Sequence, residues 1–245
     1  AFLLYSNVAQ PFFTTPFILF PLIIVALEAV LQKRSYLPLI LVFTWMLINS
    51  FYFAYVLGIG AMIYLGLRFL THYRQLYYPK DIFQVIYNLG IATLTSLLCA
   101  SIMLIPEILA VKNSTRSGGA FANGLTLYPP YYYLALPSQL INGANRDFYF
   151  WSALGFASLA FFALIYIVGE RKKYPLLFGS FLLSFIMLLF PFFGAVFNGM
   201  LAPSNRWTLL TCLPMALAVC CLIKNSHKLT QKTLKSFTYG LLLYV

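Results

Sequence analysis

The chain has 245 residues, of which 62% are hydrophobic and only 9% charged, with a mean hydropathy of +0.85. A soluble domain carries about 25% charged residues, so this composition excludes a water-facing surface and indicates a multispanning membrane protein. The net charge of +11 does not point to nucleic acid. The basic residues are dispersed in short clusters between apolar stretches, the pattern that orients membrane helices.

A helix needs about 20 apolar residues to cross a hydrocarbon core of ~30 Å. In chain order the predicted spans lie at 11–31, 36–49, 51–70, 82–105, 149–168, 175–193 and 207–223, and an eighth begins near 237. Backbone groups in lipid must be bonded within their own segment, so each span is expected to be helical. The fold class is therefore all-α, a polytopic transmembrane helical bundle with a long non-cytoplasmic loop. The chain opens at Ala1 and closes at Val245 inside a new apolar run. It is expected to be one transmembrane region and an internal piece of a longer protein.

The stretch 36–70 is too long for one untilted crossing and short for two. Asn49-Ser50 near its middle marks a candidate break. With two spans, Lys112, Arg116, Arg146 and Arg206 lie on the outer face and all other lysines and arginines on the cytoplasmic face. With one span, Lys33 and Arg34 change sides. The positive-inside rule prefers two, and both arrangements put Arg206 and the loop 106–148 outside.

Glu28 is the one acid within a span, near its end with Lys33 and Arg34, and is expected to reach headgroup water. The cysteines Cys99, Cys212, Cys220 and Cys221 lie in apolar runs without CxxC spacing, and His72 and His227 sit in basic loops. Neither a metal site nor a cofactor is indicated.

The outer loop holds turn signals at Ser117-Gly118-Gly119 and Asn123-Gly124, then Tyr128-Pro129-Pro130-Tyr131-Tyr132-Tyr133. These rings suit an interfacial or reentrant segment, either as an aromatic belt or as a surface that contacts sugar or lipid. The outer acids are Glu107, at a span end after Pro106, and Asp147, beside Arg146. A second outer element is the polar turn Phe197-Asn198-Gly199 with Pro203-Ser204-Asn205-Arg206-Trp207. Arg206 reads either as an interfacial anchor with Trp207 or as a phosphate ligand, because a guanidinium fork matches phosphate oxygens.

The order of these features resembles the bacterial YfhO family of multispanning membrane proteins. The likeness rests on Pro16-Phe17-Ile18-Leu19-Phe20-Pro21-Leu22, Asn49-Ser50-Phe51-Tyr52-Phe53-Ala54-Tyr55, the tyrosine stretch 128–133 and the turn 197–207. The resemblance implies a glycosyltransferase of the GT-C type in the bacterial cell membrane. Such an enzyme moves a sugar from a polyprenyl-phosphate donor to a cell-envelope acceptor such as lipoteichoic acid. Arg206 is then the leading donor-phosphate ligand, with Arg116 and Arg146 behind it. Tyr131, Tyr132, Asn198, Asn205 and Trp207 are the candidates for sugar or lipid contact. Glu107 and Asp147 are candidate catalytic acids, but GT-C enzymes carry the essential acid in an early outer loop near the first span, which would precede Ala1. Membrane lipids, the donor and the glycopolymer acceptor are the expected partners, and nucleic acid is not. Two other classes stay open: a transporter or lipid flippase subunit, and a noncatalytic scaffold. No internal repeat or buried charge pair is visible to favour transport.

Overall fold

A computed structural model of the chain describes residues 14–113, 126–141, 152 and 154–244. Among them every regular element is helical. They form two compact units, one within Gln10–Ala120 and the other within Phe121–Val245.

The first unit contains α1 (Thr15–Leu31), α2 (Leu37–Asn49), α3 (Phe51–Thr71) and α4 (Pro79–Lys112). Helix α1 is its centre and packs against the other three. Leu19, Ile23, Leu27 and Val30 recur at helical spacing and are buried to within 1% of their surface. Helix α1 ends in a Schellman arrangement, with Arg34 N–H donating to Ala29 O at 2.8 Å and Lys33 N–H to Val30 O at 2.9 Å. The motif forces Lys33 into the left-handed region at φ 59°.

The predicted break within 36–70 is present at Ser50. Its backbone is extended (φ −166°, ψ 119°), and its hydroxyl caps α3 by accepting from Phe53 N–H. Helix α4 outruns its expected end. It passes through Pro106 and stops at Lys112, so the loop expected from 106 starts later and Glu107 lies inside a helix. Pro106 removes one N–H, a defect that membrane helices tolerate. Ile102, one turn earlier, is 82% exposed, as a lipid-facing side chain should be.

The second unit contains α5 (Pro130–Gln139), α6 (Ser158–Gly169), α7 (Pro175–Leu189), α8 (Pro191–Phe197), α9 (Cys212–Lys224) and α10 (Gln231–Tyr244). Its core joins Ala163 and Ile167 of α6, Leu177 of α7, and Ala218 and Leu222 of α9. Phe237 of α10 meets Phe162 of α6 edge-to-face at 5.4 Å.

Four boundaries in this unit differ from the sequence expectation, the simplest being α10, which starts at Gln231 rather than near 237. Helix α6 starts at Ser158 rather than 149, because Gly155 N–H and Phe156 N–H bond to Gln139 O and Leu140 O instead of opening a helix. The stretch 175–193 is not one helix. Pro191 disfavours helical geometry at Phe190, which is extended (φ −124°, ψ 126°), and α8 leaves α7 at 103°. The segment predicted at 207–223 opens as a 3-10 turn, Asn205–Thr211, before α9.

Phe51–Thr71, Pro79–Ala110 and Asn205–Lys224 are each long and apolar enough to cross a membrane. The bent pair α7–α8 makes a fourth if it counts as one span.

Candidate functional site

A helix that stops inside an apolar bundle leaves its last carbonyls without partners. At the end of α7 the tyrosine stretch satisfies the last two of those carbonyls. Tyr132 Oη donates to Leu188 O at 2.8 Å, and Tyr133 Oη to Leu189 O at 2.9 Å. Pro129 and Pro130 start α5 at the preset φ that suits a first turn. The Tyr128 ring lies 4.0 Å from that of Tyr132.

The polar turn after α8 closes onto the same rings. Asn205 Nδ2 donates to Tyr132 Oη at 3.0 Å, and Asn205 Oδ1 accepts from Trp207 Nε1 at 3.3 Å and Tyr128 Oη at 3.4 Å. Trp207 stacks on Phe197 at 5.4 Å. Tyr132, Asn205 and Trp207 are each at most 1% exposed, so they form the inner wall of the turn. Burial pushes the Tyr132 phenol well above the ordinary tyrosine range, which keeps it a neutral donor.

Two glycines shape this turn. Gly199 (φ 68°) ends α8 in the left-handed region, Met200 after it is left-handed too (φ 62°), and Met200 N–H donates back to Ala195 O at 2.8 Å. Asn198 then braces the loop by donating to Ala202 O at 2.8 Å. Gly194 permits the close approach of the turn. A Cβ there would lie 3.1 Å from both Ser204 N and Tyr128 Oη. Ser204 Oγ is buried with no partner among the described residues.

Arg206 stands between the buried Asn205 and Trp207 and is half-buried. Tyr131 is 48% exposed. Beside this network lies an apolar groove of about 620 Å³ within the same unit. Tyr133, Leu188 and Leu189 line it, together with Phe181, Ser184 and Phe185 of α7 and Met215 of α9. Tyr133 and the last two residues of α7 therefore belong both to the capped helix end and to the groove wall, whereas Tyr132, Asn205 and Trp207 do not line the groove.

The sequence candidates divide as follows. Tyr132, Asn205 and Trp207 are brought together, Asn198 and Arg206 belong to the same turn, and Tyr131 is on α5. Arg116, Arg146 and Asp147 lie outside the described residues. Glu107 belongs to the other unit, where its Oε2 is buried without a partner among the described residues. In the described part of the second unit the one carboxylate is Glu170, in the turn after α6. Those residues thus supply a cation, hydroxyls and an apolar groove, but no acid at the turn.

Sequence reasoning missed a second cluster, in the first unit. Glu28 does not pair with Lys33 or Arg34. Its Oε1 accepts from Tyr64 Oη and Arg68 Nε, both at 2.6 Å, and its Oε2 accepts from Arg68 Nη2 and Tyr73 Oη, both at 3.2 Å. Lys33 instead pairs with Asp81 at 2.5 Å. Tyr77 Oη donates to Leu31 O. Burial holds the Tyr73 phenol above its ordinary range, with the Glu28 charge adding to it, and burial pushes Tyr77 up to about 12. The readable signal was Tyr64 and Arg68, four residues apart and so on one face of α3.

Fold and site together define a polytopic helical membrane protein with a broken helix beside an apolar groove. The sequence model described as "Bacterial membrane protein YfhO" matches residues 1–245, and the chain belongs to that family. A curated relative, "Uncharacterized protein YfhO" of Bacillus subtilis (strain 168), is 28% identical over 227 residues, covering 91% of this chain and 24% of the relative. The chain thus spans about a quarter of that relative's length. No solved structure matches.

Proposed function

We propose that this chain is the lipid-donor part of a membrane glycosyltransferase of the GT-C type. The donor is a sugar on polyprenyl phosphate, and the acceptor is a cell-envelope glycopolymer such as lipoteichoic acid. The observation that carries this reading is the groove next to the turn. An isoprenoid chain needs a long apolar surface, and its phosphate needs a cation at the end of that surface. The α7 wall supplies the first, and Arg206 is the candidate for the second. Arg116 and Arg146 remain secondary candidates. Sugar transfer also needs a base for the acceptor hydroxyl, and the described residues at the turn include no carboxylate to serve as one.

The deciding experiment uses the full-length protein in membranes. Arg206→Ala is expected to abolish sugar transfer while membrane abundance stays at the wild-type level. Wild-type transfer by that variant would remove Arg206 from the phosphate role.

Two observations favour a second reading, transport of a lipid-linked sugar. The α7–α8 break is of the kind that lines transporter sites, and Glu28–Arg68 is a half-buried ion pair between the apolar helices α1 and α3. Movement of a labelled sugar lipid across vesicles, without transfer to an acceptor, would select this reading over the enzyme.

A further inference from the structure

We propose that the end of the second unit formed by the α6–α7 and α9–α10 turns is a binding platform for anionic phospholipid headgroups. The two turns are far apart in sequence but joined in the fold. Asn225 Nδ2 donates to Tyr174 Oη at 3.2 Å, and Tyr174 and Leu229 pack on the same core. The first turn carries Arg171, Lys172 and Lys173, and the second Lys224 and Lys228, all of them exposed. Lys173 Nζ sits 5.2 Å over the Tyr174 ring.

The charge balance at this end is one-sided. Glu170 is the one acid in either turn, and no Asp or Glu occurs from Arg171 to Val245. Topology alone needs a positive bias, which either cluster would supply. Folding the two clusters against each other concentrates five cations on one surface. Exposed Ile223 and Leu234 flank that surface, so acyl chains and headgroups can be met together. A lipid phosphodiester at the interface has the matching charge and depth.

The test uses the full-length protein in nanodiscs of phosphatidylcholine containing spin-labelled phosphatidylglycerol or spin-labelled phosphatidylcholine. The motionally restricted fraction reports the preference for each lipid. Wild type is expected to favour phosphatidylglycerol by about threefold to tenfold at low salt. The preference should shrink at 1 M salt, where the Debye length falls to about 3 Å. Replacing all five cations with glutamine should bring it to unity. Arg171→Gln, Lys172→Gln and Lys173→Gln as one set, and Lys224→Gln with Lys228→Gln as another, should each remove part of it. These smaller sets decide the matter if the combined variant fails to fold. Arg74→Gln with Lys80→Gln, in the other unit, should leave it intact. An undiminished preference in both smaller sets would overturn the proposal. So would competition by millimolar inorganic phosphate, which would indicate a pocket for the free ion instead of a lipid surface.

Discussion

Asn205 Nδ2 donates to Tyr132 Oη at 3.0 Å, and that hydroxyl donates onward to Leu188 O at 2.8 Å. A turn of the second unit is thereby tied to the broken end of α7 through one phenol. The chain of cause begins with Pro191, which ends α7 early and frees carbonyls that lipid cannot satisfy. Tyr132→Phe removes the donor to Leu188 O and the acceptor for Asn205. A loss of about 1–3 kcal/mol is expected, the desolvation cost of buried groups left unpaired. Thermal unfolding in detergent measures it. Tyr131→Phe, at a half-exposed ring on the same helix, is the comparison and should cost much less.

The two glycines of the turn should fail for different reasons. Gly194→Ala puts a methyl 3.1 Å from a backbone nitrogen and a buried hydroxyl. The turn must then give way by a few tenths of an ångström, an overpacking cost of about 1–3 kcal/mol. Gly199→Ala meets nothing within 4 Å, but its φ of 68° is unfavourable for a side chain. About 1 kcal/mol is expected there, and Gly199→Asn should recover much of it because asparagine tolerates this geometry. Equal costs for Gly194→Ala and Gly199→Asn in denaturation would contradict this division.

The fold class was legible in hydropathy, and the Ser50 break in a polar pair inside an apolar run. The break at Phe190-Pro191 was also written in the chain. It was obscured because hydropathy averages across a proline without registering the lost N–H. The tyrosine stretch could be marked as interfacial, but hydropathy does not say which carbonyls a phenol will reach. Tyr132 and Asn205, 73 residues apart, meet only through tertiary packing. The Glu28 cluster is the sharper miss. Its place near a span end suggested headgroup water, yet its partner is Arg68, 40 residues away on α3. Helix packing, not sequence distance, chose the cation.

That pairing makes a quantitative expectation for the first unit. Glu28 accepts four hydrogen bonds, and the side chains of Arg68 and Glu28 are 25% and 19% exposed. Removal of one partner from a fully buried pair costs about 3–5 kcal/mol, and partial exposure reduces this toward about 1–3. A double-mutant cycle with Glu28→Gln and Arg68→Gln should show a coupling of about 1–3 kcal/mol. Arg68→Lys should not restore wild-type stability, because an ammonium cannot present two fixed donors to one carboxylate. Additive single variants would show that the pair contributes nothing beyond its separate contacts.

Under the proposed glycosyltransferase reading, the groove offers the most direct separation of lipid binding from chemistry. Ser184 lines it from α7 and is half-buried, so a larger side chain there can enter the groove without displacing a buried core residue. Ser184→Phe should shorten the apolar surface available to an isoprenoid chain. In the full-length protein the expected result is a raised KM for a long-chain polyprenyl-phosphate sugar, by about tenfold for one to two kcal/mol of lost contact. The kcat should change little, because uniform binding is what is lost. A short-chain donor analogue, which never fills the groove, should be turned over equally by variant and wild type. Arg206→Ala should instead impair both donors, because both carry the phosphate. If Ser184→Phe weakened long and short donors alike, the groove would not be where the lipid chain lies, whatever Arg206 contributes.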